Sequence, residues 1–152
     1  MDEVNQEILE QYEVKSTKET PFVLPKDPEP MLKQLIFLLR ALIERGYTLS
    51  AICPSDFVLR DKVLFLKRDT HVTKLVDGHF VYKESQKCFP PGKPGRHSLV
   101  GIYGAVGLFA YYLWTHKKVD SISEIDYGKL KGTKIYYFIR NSIEKNPILL
   151  YL

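Results

Sequence analysis

The sequence predicts a small α+β domain, mostly helical, and three observations carry that expectation. Three segments place apolar residues at helical spacing, and a fourth is a long uncharged apolar run. Residues 57–82 instead show short apolar runs of strand character broken by turn residues. The length of 152 residues suits one core rather than two. A composition of 45% hydrophobic and 26% charged residues is that of an ordinary globular chain, and no low-complexity segment interrupts it.

The elements follow in chain order. "MDEVNQEILEQYEV" forms a short helix: Asp2 is a candidate cap, acidic residues occupy the first turn, and Val4, Ile8 and Leu9 share a face. In "STKETPFVLPKDPEP", Pro21, Pro25, Pro28 and Pro30 exclude helix and central strand, so an extended connector is expected. Its "PFVLP" patch is apolar and calls for a surface to cover it. "EPMLKQLIFLLRALIERGY" is the clearest helix, with Leu32, Leu35, Ile36, Leu39, Leu42 and Ile43 at helical spacing, Pro30 at its start and Gly46 at its stop.

Strands are expected at "KVLFL", "HVTKLV" and "HFVYK", the last two joined by an Asp77-Gly78 turn. "KCFPPGKPG" reads as an irregular loop. Residues 97–116, "HSLVGIYGAVGLFAYYLWTH", carry no formal charge between Arg96 and Lys117-Lys118. Their length would cross a membrane, and Gly101, Gly104 and Gly107 would permit close helix packing. A central helix of a soluble core is also apolar all round. The Gly and Tyr content and the surrounding pattern favour the core, with a membrane anchor as the alternative. "VDSISEIDYGKLKGT" is a polar connector. "KIYYFIRNSIEKN" is a last amphipathic helix with Ile135, Phe138, Ile139 and Ile143 on one face. Pro147 ends it, and the "ILLYL" tail calls for burial.

The formal charge of +4 is unevenly spread. Residues 1–30 hold eight acidic and three basic side chains, a balance of −5, and residues 31–152 balance to +9. An acidic arm thus precedes a basic body, and either lies on it or meets partners of opposite sign. Dispersed basic residues and the lack of a groove-binding motif argue against nucleic acid. Cys53 and Cys88 form no metal-ligand spacing with His71, His79, His97 and His116. Without a secretory signal they are expected as free buried thiols in a reducing compartment. The histidines are expected at the surface or in hydrogen bonds. Ser50 and Ser98 lack a nucleophile-elbow context. Trp114 and the pairs Tyr111-Tyr112 and Tyr136-Tyr137 read first as core with polar tips, and second as a partner interface.

Residues 49–66, "LSAICPSDFVLRDKVLFL", together with "FPPG", "GAVGLFAYYLW" and "IYYFIRNSIEKNP", resemble the C-terminal lobe of the protein kinases. The order is the lobe's order: apolar helix, catalytic-type loop, small hairpins, Pro-rich loop, buried helix, amphipathic helix. The family's catalytic loop has the pattern His-Arg-Asp-x-Lys-Pro-x-x-Asn, and Pro54 falls on its proline. The resemblance spans about residues 31–150. The tail, "GTKIYYFIRNSIEKNPILLYL", resembles short kinase-like proteins of the nucleocytoplasmic large DNA viruses.

The departures from the family decide what the resemblance implies. Phosphoryl transfer needs an orienting carboxylate, a phosphate-binding lysine, metal ligands and a nucleotide cradle. The catalytic Asp position holds Ala51, and Leu49 and Ser50 replace the preceding His and Arg. The loop lysine position holds Cys53, and the metal-binding Asn position holds Asp56. Lys67, Arg68 and Asp69 stand where an Asp-Phe-Gly motif would follow. Ile102 replaces the Asp that opens the buried helix. Asp56 retains some capacity for a cation, although capping its own loop backbone is the favoured role. Lys67-Arg68 is read as a solvated hairpin edge rather than an anion site. Thirty residues with four prolines leave no room for a nucleotide-binding lobe.

The resemblance therefore implies a degenerate lobe (residues 31–152) behind an acidic arm and Pro-rich connector (residues 1–30), without catalysis, cofactor or bound metal. The expected role is a structural or scaffolding component of a virion, such as a minor capsid protein. Its partners would be other viral proteins or a kinase, in the virion or the host cytoplasm. The alternatives are a regulatory pseudokinase-like module in infected cells and a membrane-anchored viral protein.

Overall fold

A computed structural model describes residues 2–85 and 87–143. The described chain is α+β, with four α-helices and small antiparallel sheets. The tail "ILLYL" and Pro147 lie outside the described residues.

Helix α1 (Asp2–Tyr12) is short and amphipathic, as its pattern requires, and buries Val4 and Ile8. It packs on helix α2 (Pro28–Glu44) and on strand β4 (Val63–Leu66). Helix α2 starts two residues earlier than expected. Asp27 is its N-cap and accepts from the Glu29 N–H at 3.3 Å. Pro28 therefore does not exclude helix: it occupies the first turn, where a missing N–H is harmless. The helix ends at Glu44, and Gly46 takes a positive φ of 84° just beyond it. Apolar residues on three sides of α2 are buried, among them Leu32, Leu35, Leu38 and Leu42.

The connector lies along the body. Strand β1 (Thr20–Pro21) pairs antiparallel with strand β3 (Phe57–Arg60), and β3 pairs with β4. Pro21 sits in an edge strand, the one place in a sheet that tolerates its missing donor. Phe22 of "PFVLP" is half-buried, with its ring 6.0 Å from Phe109, whereas Val23 remains exposed. Asp61 and Lys62, both at positive φ, form the two-residue turn between β3 and β4. The Asp61 carboxylate also accepts the backbone N–H groups of Lys15 and Ser16, at 3.3 and 3.1 Å.

The outer edge of β4 is closed by side chains. Leu64 N–H donates to the Gln34 side chain at 3.0 Å, and Leu66 N–H to that of Asn5 at 3.1 Å. The Asn5 amide returns a bond to the Leu66 carbonyl at 2.8 Å. This accounts for Gln34 as a buried polar residue on an apolar helix face. Ion pairs join arm and body as well: Glu7 with Arg45 at 2.5 Å, and Glu19 with Lys67 at 2.8 Å. Glu7 raises the Arg45 guanidinium above its ordinary range. The acidic arm thus lies on the basic body in cis.

Strand pairing beyond β4 departs from expectation. Strand β5 (Val72–Lys74) pairs with β2 (Tyr47–Leu49), not with its sequence neighbour β6 (His79–Tyr82). Asp77-Gly78 does make a tight turn, but only the bridge Val76–His79 closes it. Strand β6 pairs instead with β7 (Gly95–Ser98), a strand that begins at Gly95, the last residue of the expected loop, and runs into the uncharged stretch.

Helix α3 (Ile102–Thr115) fills the centre, with Ile102, Ala105, Val106, Phe109 and Tyr111 buried. The uncharged run of residues 97–116 is therefore not one helix, since its first residues lie in β7 and a following 3-10 turn. Fourteen residues of helix span about 21 Å, short of the roughly 30 Å hydrocarbon layer. Among the described residues, no helix is long and apolar enough to cross a membrane. His116 ends α3 in the left-handed conformation. The buried Tyr111 hydroxyl accepts the Asp126 N–H at 3.2 Å, which satisfies its polar tip and fixes the connector. Helix α4 (Lys134–Ile143) packs on α3 through Ile135, Phe138 and Ile139.

Candidate functional site

The segment between β2 and β3, residues 50–56, is tied to its surroundings by backbone. Ser50 N–H donates to the His71 carbonyl at 2.8 Å. Ile52 and Phe89 exchange two hydrogen bonds, at 3.0 and 2.7 Å. Pro54–Asp56 form a 3-10 turn, with the Asp56 N–H on the Cys53 carbonyl at 2.9 Å. The Asp56 carbonyl then takes the N–H groups of Lys67 and Arg68. Three chain segments are thereby sewn together: residues 50–56, the turn before β5, and residues 85–89.

Those ties assemble a cluster from residues the sequence leaves apart. Cys53 and Cys88 come together with 4.2 Å between Cα atoms and are joined by a disulfide. They are not free thiols, which corrects the expectation from the sequence. The signal that was missing is the Ile52–Phe89 bridge, which sets each cysteine one residue from a paired position. Beside the disulfide lies His71, its Nε2 3.6 Å from Cys53 Sγ, 4.0 Å from Cys88 Sγ and 3.3 Å from Ser85 Oγ. On the other side of the ring, Nδ1 is 2.6 Å from Asp56 Oδ2.

The Asp56 side chain therefore does not cap its own loop. It is 3% exposed and faces the imidazole. A carboxylate can only accept, so Nδ1 carries a proton, and Nε2 is the ring nitrogen that faces the sulfurs. Cys53, His71 and Cys88 bring three potential ligand atoms within 4.8 Å of one another, a grouping invisible in linear spacing. Cys88 and Ser85 also line a cavity of about 650 Å³, with Tyr82, Lys87 and Lys118 among its walls. Lys118 reaches over the Phe89 ring and donates to the Cys88 carbonyl at 3.2 Å.

The remaining candidates fall elsewhere. Ala51 is fully buried and offers no functional group. Lys67 and Arg68 are exposed, with Lys67 held by Glu19, in keeping with a solvated hairpin edge. His79 and His97 bond to backbone carbonyls, of Asp77 and Lys93, each at 2.7 Å. Of the aromatic residues singled out, Tyr111 is core and Tyr137 is 69% exposed.

The chain matches no family model, no curated protein and no solved structure.

Proposed function

We propose that the chain is a non-catalytic scaffolding protein, a component of a virion, built on a degenerate kinase-like lobe. The observation that carries this reading is the burial of residues 51–53, within the loop at residues 50–56. Ala51 and Ile52 have no solvent exposure, and Phe89 covers them through its bridge to Ile52. A substrate hydroxyl has no access there and no carboxylate to meet at position 51. Two further features favour the lobe reading. The described elements run in the expected order, from α2 through the loop, the β3–β4 hairpin and α3 to α4. The arm lies over β3 and β4, so the lobe covers in cis a face that would otherwise need a partner.

The protein acts through surfaces, and the aromatic face at the start of α4 is the one best suited to a protein partner. Tyr136 stacks edge-on between Tyr127 and the exposed Tyr137, beside Lys131 and Lys134. Tyrosines flanked by charge supply large contact area at low entropy cost.

Two measurements test the reading. Thermal melting with ATP and Mg²⁺ leaves the midpoint unchanged; a rise of several degrees would overturn the non-catalytic assignment. Mass spectrometry of purified particles of the source virus detects the chain. Its absence there removes the virion role and leaves a regulatory module of the infected cell.

A further inference from the structure

We infer that Cys53, Cys88 and His71 form a redox-gated zinc site: closed as a disulfide when oxidised, and a Zn²⁺ site when reduced. The inference is independent of the scaffolding role.

Its first support is the direction of the imidazole. The buried Asp56 carboxylate holds Nδ1–H at 2.6 Å, so Nε2 is the ring nitrogen turned toward the two sulfurs. A disulfide has no proton to donate, and among the described residues the Ser85 hydroxyl, at 3.3 Å, is the oxygen partner of Nε2. A carboxylate behind a histidine whose other nitrogen faces soft donors is the outer-shell arrangement of protein zinc sites.

Distances are the second support. With Zn–S of about 2.3 Å and Zn–N of about 2.0 Å, tetrahedral geometry sets S···N near 3.6 Å and S···S near 3.8 Å. The S···N distances are already 3.6 and 4.0 Å. Only the sulfurs must part, by rotation about their own side-chain bonds. The backbone under both is fixed by the Ile52–Phe89 bridge and needs no rearrangement. Two thiolates and one imidazole suit Zn²⁺ and cancel its charge in a buried place. The fourth position is taken by water from the adjoining cavity, next to Ser85.

The chemistry balances with a dithiol as reductant. Its thiolate attacks the Cys88 sulfur, which borders the cavity, and the Cys53 sulfur leaves as thiolate. The second thiol of the reductant then displaces Cys88, so the reductant becomes a disulfide and two electrons pass to the protein. Zn²⁺ binds the two sulfurs as thiolates and His71 through an unprotonated Nε2, and the two thiol protons leave to solvent.

The test uses the full chain in two states, oxidised and reduced with a water-soluble phosphine, because dithiols themselves chelate zinc. Each is incubated with excess Zn²⁺, desalted and assayed for metal. The reduced chain retains one Zn²⁺ and the oxidised chain none. Co²⁺ in place of zinc gives the reduced chain tetrahedral ligand-field bands and thiolate charge-transfer absorption. Cys53→Ser and, separately, Cys88→Ser abolish retention, whereas His79→Gln leaves it intact. Asp56→Asn weakens zinc affinity about 10–100-fold with the cobalt spectrum retained. The proposal is overturned if reduced chain retains no zinc, whether it stays folded or unfolds without recovery on adding Zn²⁺. Equal retention by the oxidised chain, or by either folded cysteine variant, overturns it as well.

Discussion

At the scale of the residue, Asp56 and Lys67 form an instructive pair, because the sequence singles out both as candidates and the structure treats them oppositely. Asp56 is buried and engaged with His71, whereas Lys67 is exposed and engaged with Glu19. Removing the buried carboxylate leaves Nδ1–H without a partner in a confined place, at a cost of about 1–3 kcal/mol. Replacing the exposed lysine costs less than about 1 kcal/mol, since surface ion pairs are screened and entropically loose. Urea denaturation of oxidised Asp56→Ala and Lys67→Met is expected to separate them in that order. Gly104 supplies a second contrast. A Cβ there would meet only the Pro91 carbonyl at 3.6 Å, an ordinary contact. Gly104→Ala therefore keeps the packing and gains helix propensity, raising stability by up to about 1 kcal/mol in the same assay.

At the scale of the element, the disulfide closes a loop with 35 residues of sequence separation. Chain-entropy reasoning assigns about 4 kcal/mol to such a closure. Reduction without zinc is expected to lower the melting midpoint by roughly 8–16 °C, at about 2–4 °C per kcal/mol for a chain of this size. Differential scanning calorimetry checks this, and restoration of part of the loss by Zn²⁺ would link it to the site proposed above. Periodicity made α1, α2 and α4 legible, because each buries a face whose spacing survives in the sequence, and α3 was legible as an uncharged run that is buried nearly all round. The hairpin turn at Asp77-Gly78 was legible from its residue types. Its partners were not: β5 turns back to β2, and β6 waits for β7 across a proline-rich stretch. Local pattern holds no record of which edge a short strand will meet. The same limit hid the candidate site, whose cysteines and histidine are joined by two backbone ties far apart in sequence.

At the scale of the whole molecule, the arm is integral to the α+β domain. Val4 and Ile8 are fully buried against it, and Asn5 completes the hydrogen bonding of β4. Deleting residues 1–19 strips apolar cover from α2 and β4, and is expected to cause aggregation or loss of cooperative melting. Salt provides a sharper check on what holds the arm. If burial dominates over the Glu7–Arg45 and Glu19–Lys67 pairs, 0.5 M-range NaCl changes unfolding free energy by less than about 1 kcal/mol. A larger drop would show that charge, not apolar contact, holds the arm in place.

The three-stranded sheet has one consequence for assembly. A strand with free donors and acceptors along its rim can recruit an identical strand from another molecule, and so on without limit. Here one rim is a two-residue strand ending in a proline, and the other is occupied by amides from two helices of the same chain. Neither rim can template the next copy. An ordered array that contains this protein is therefore not propagated through the three-stranded sheet, and that sheet cannot seed a fibril.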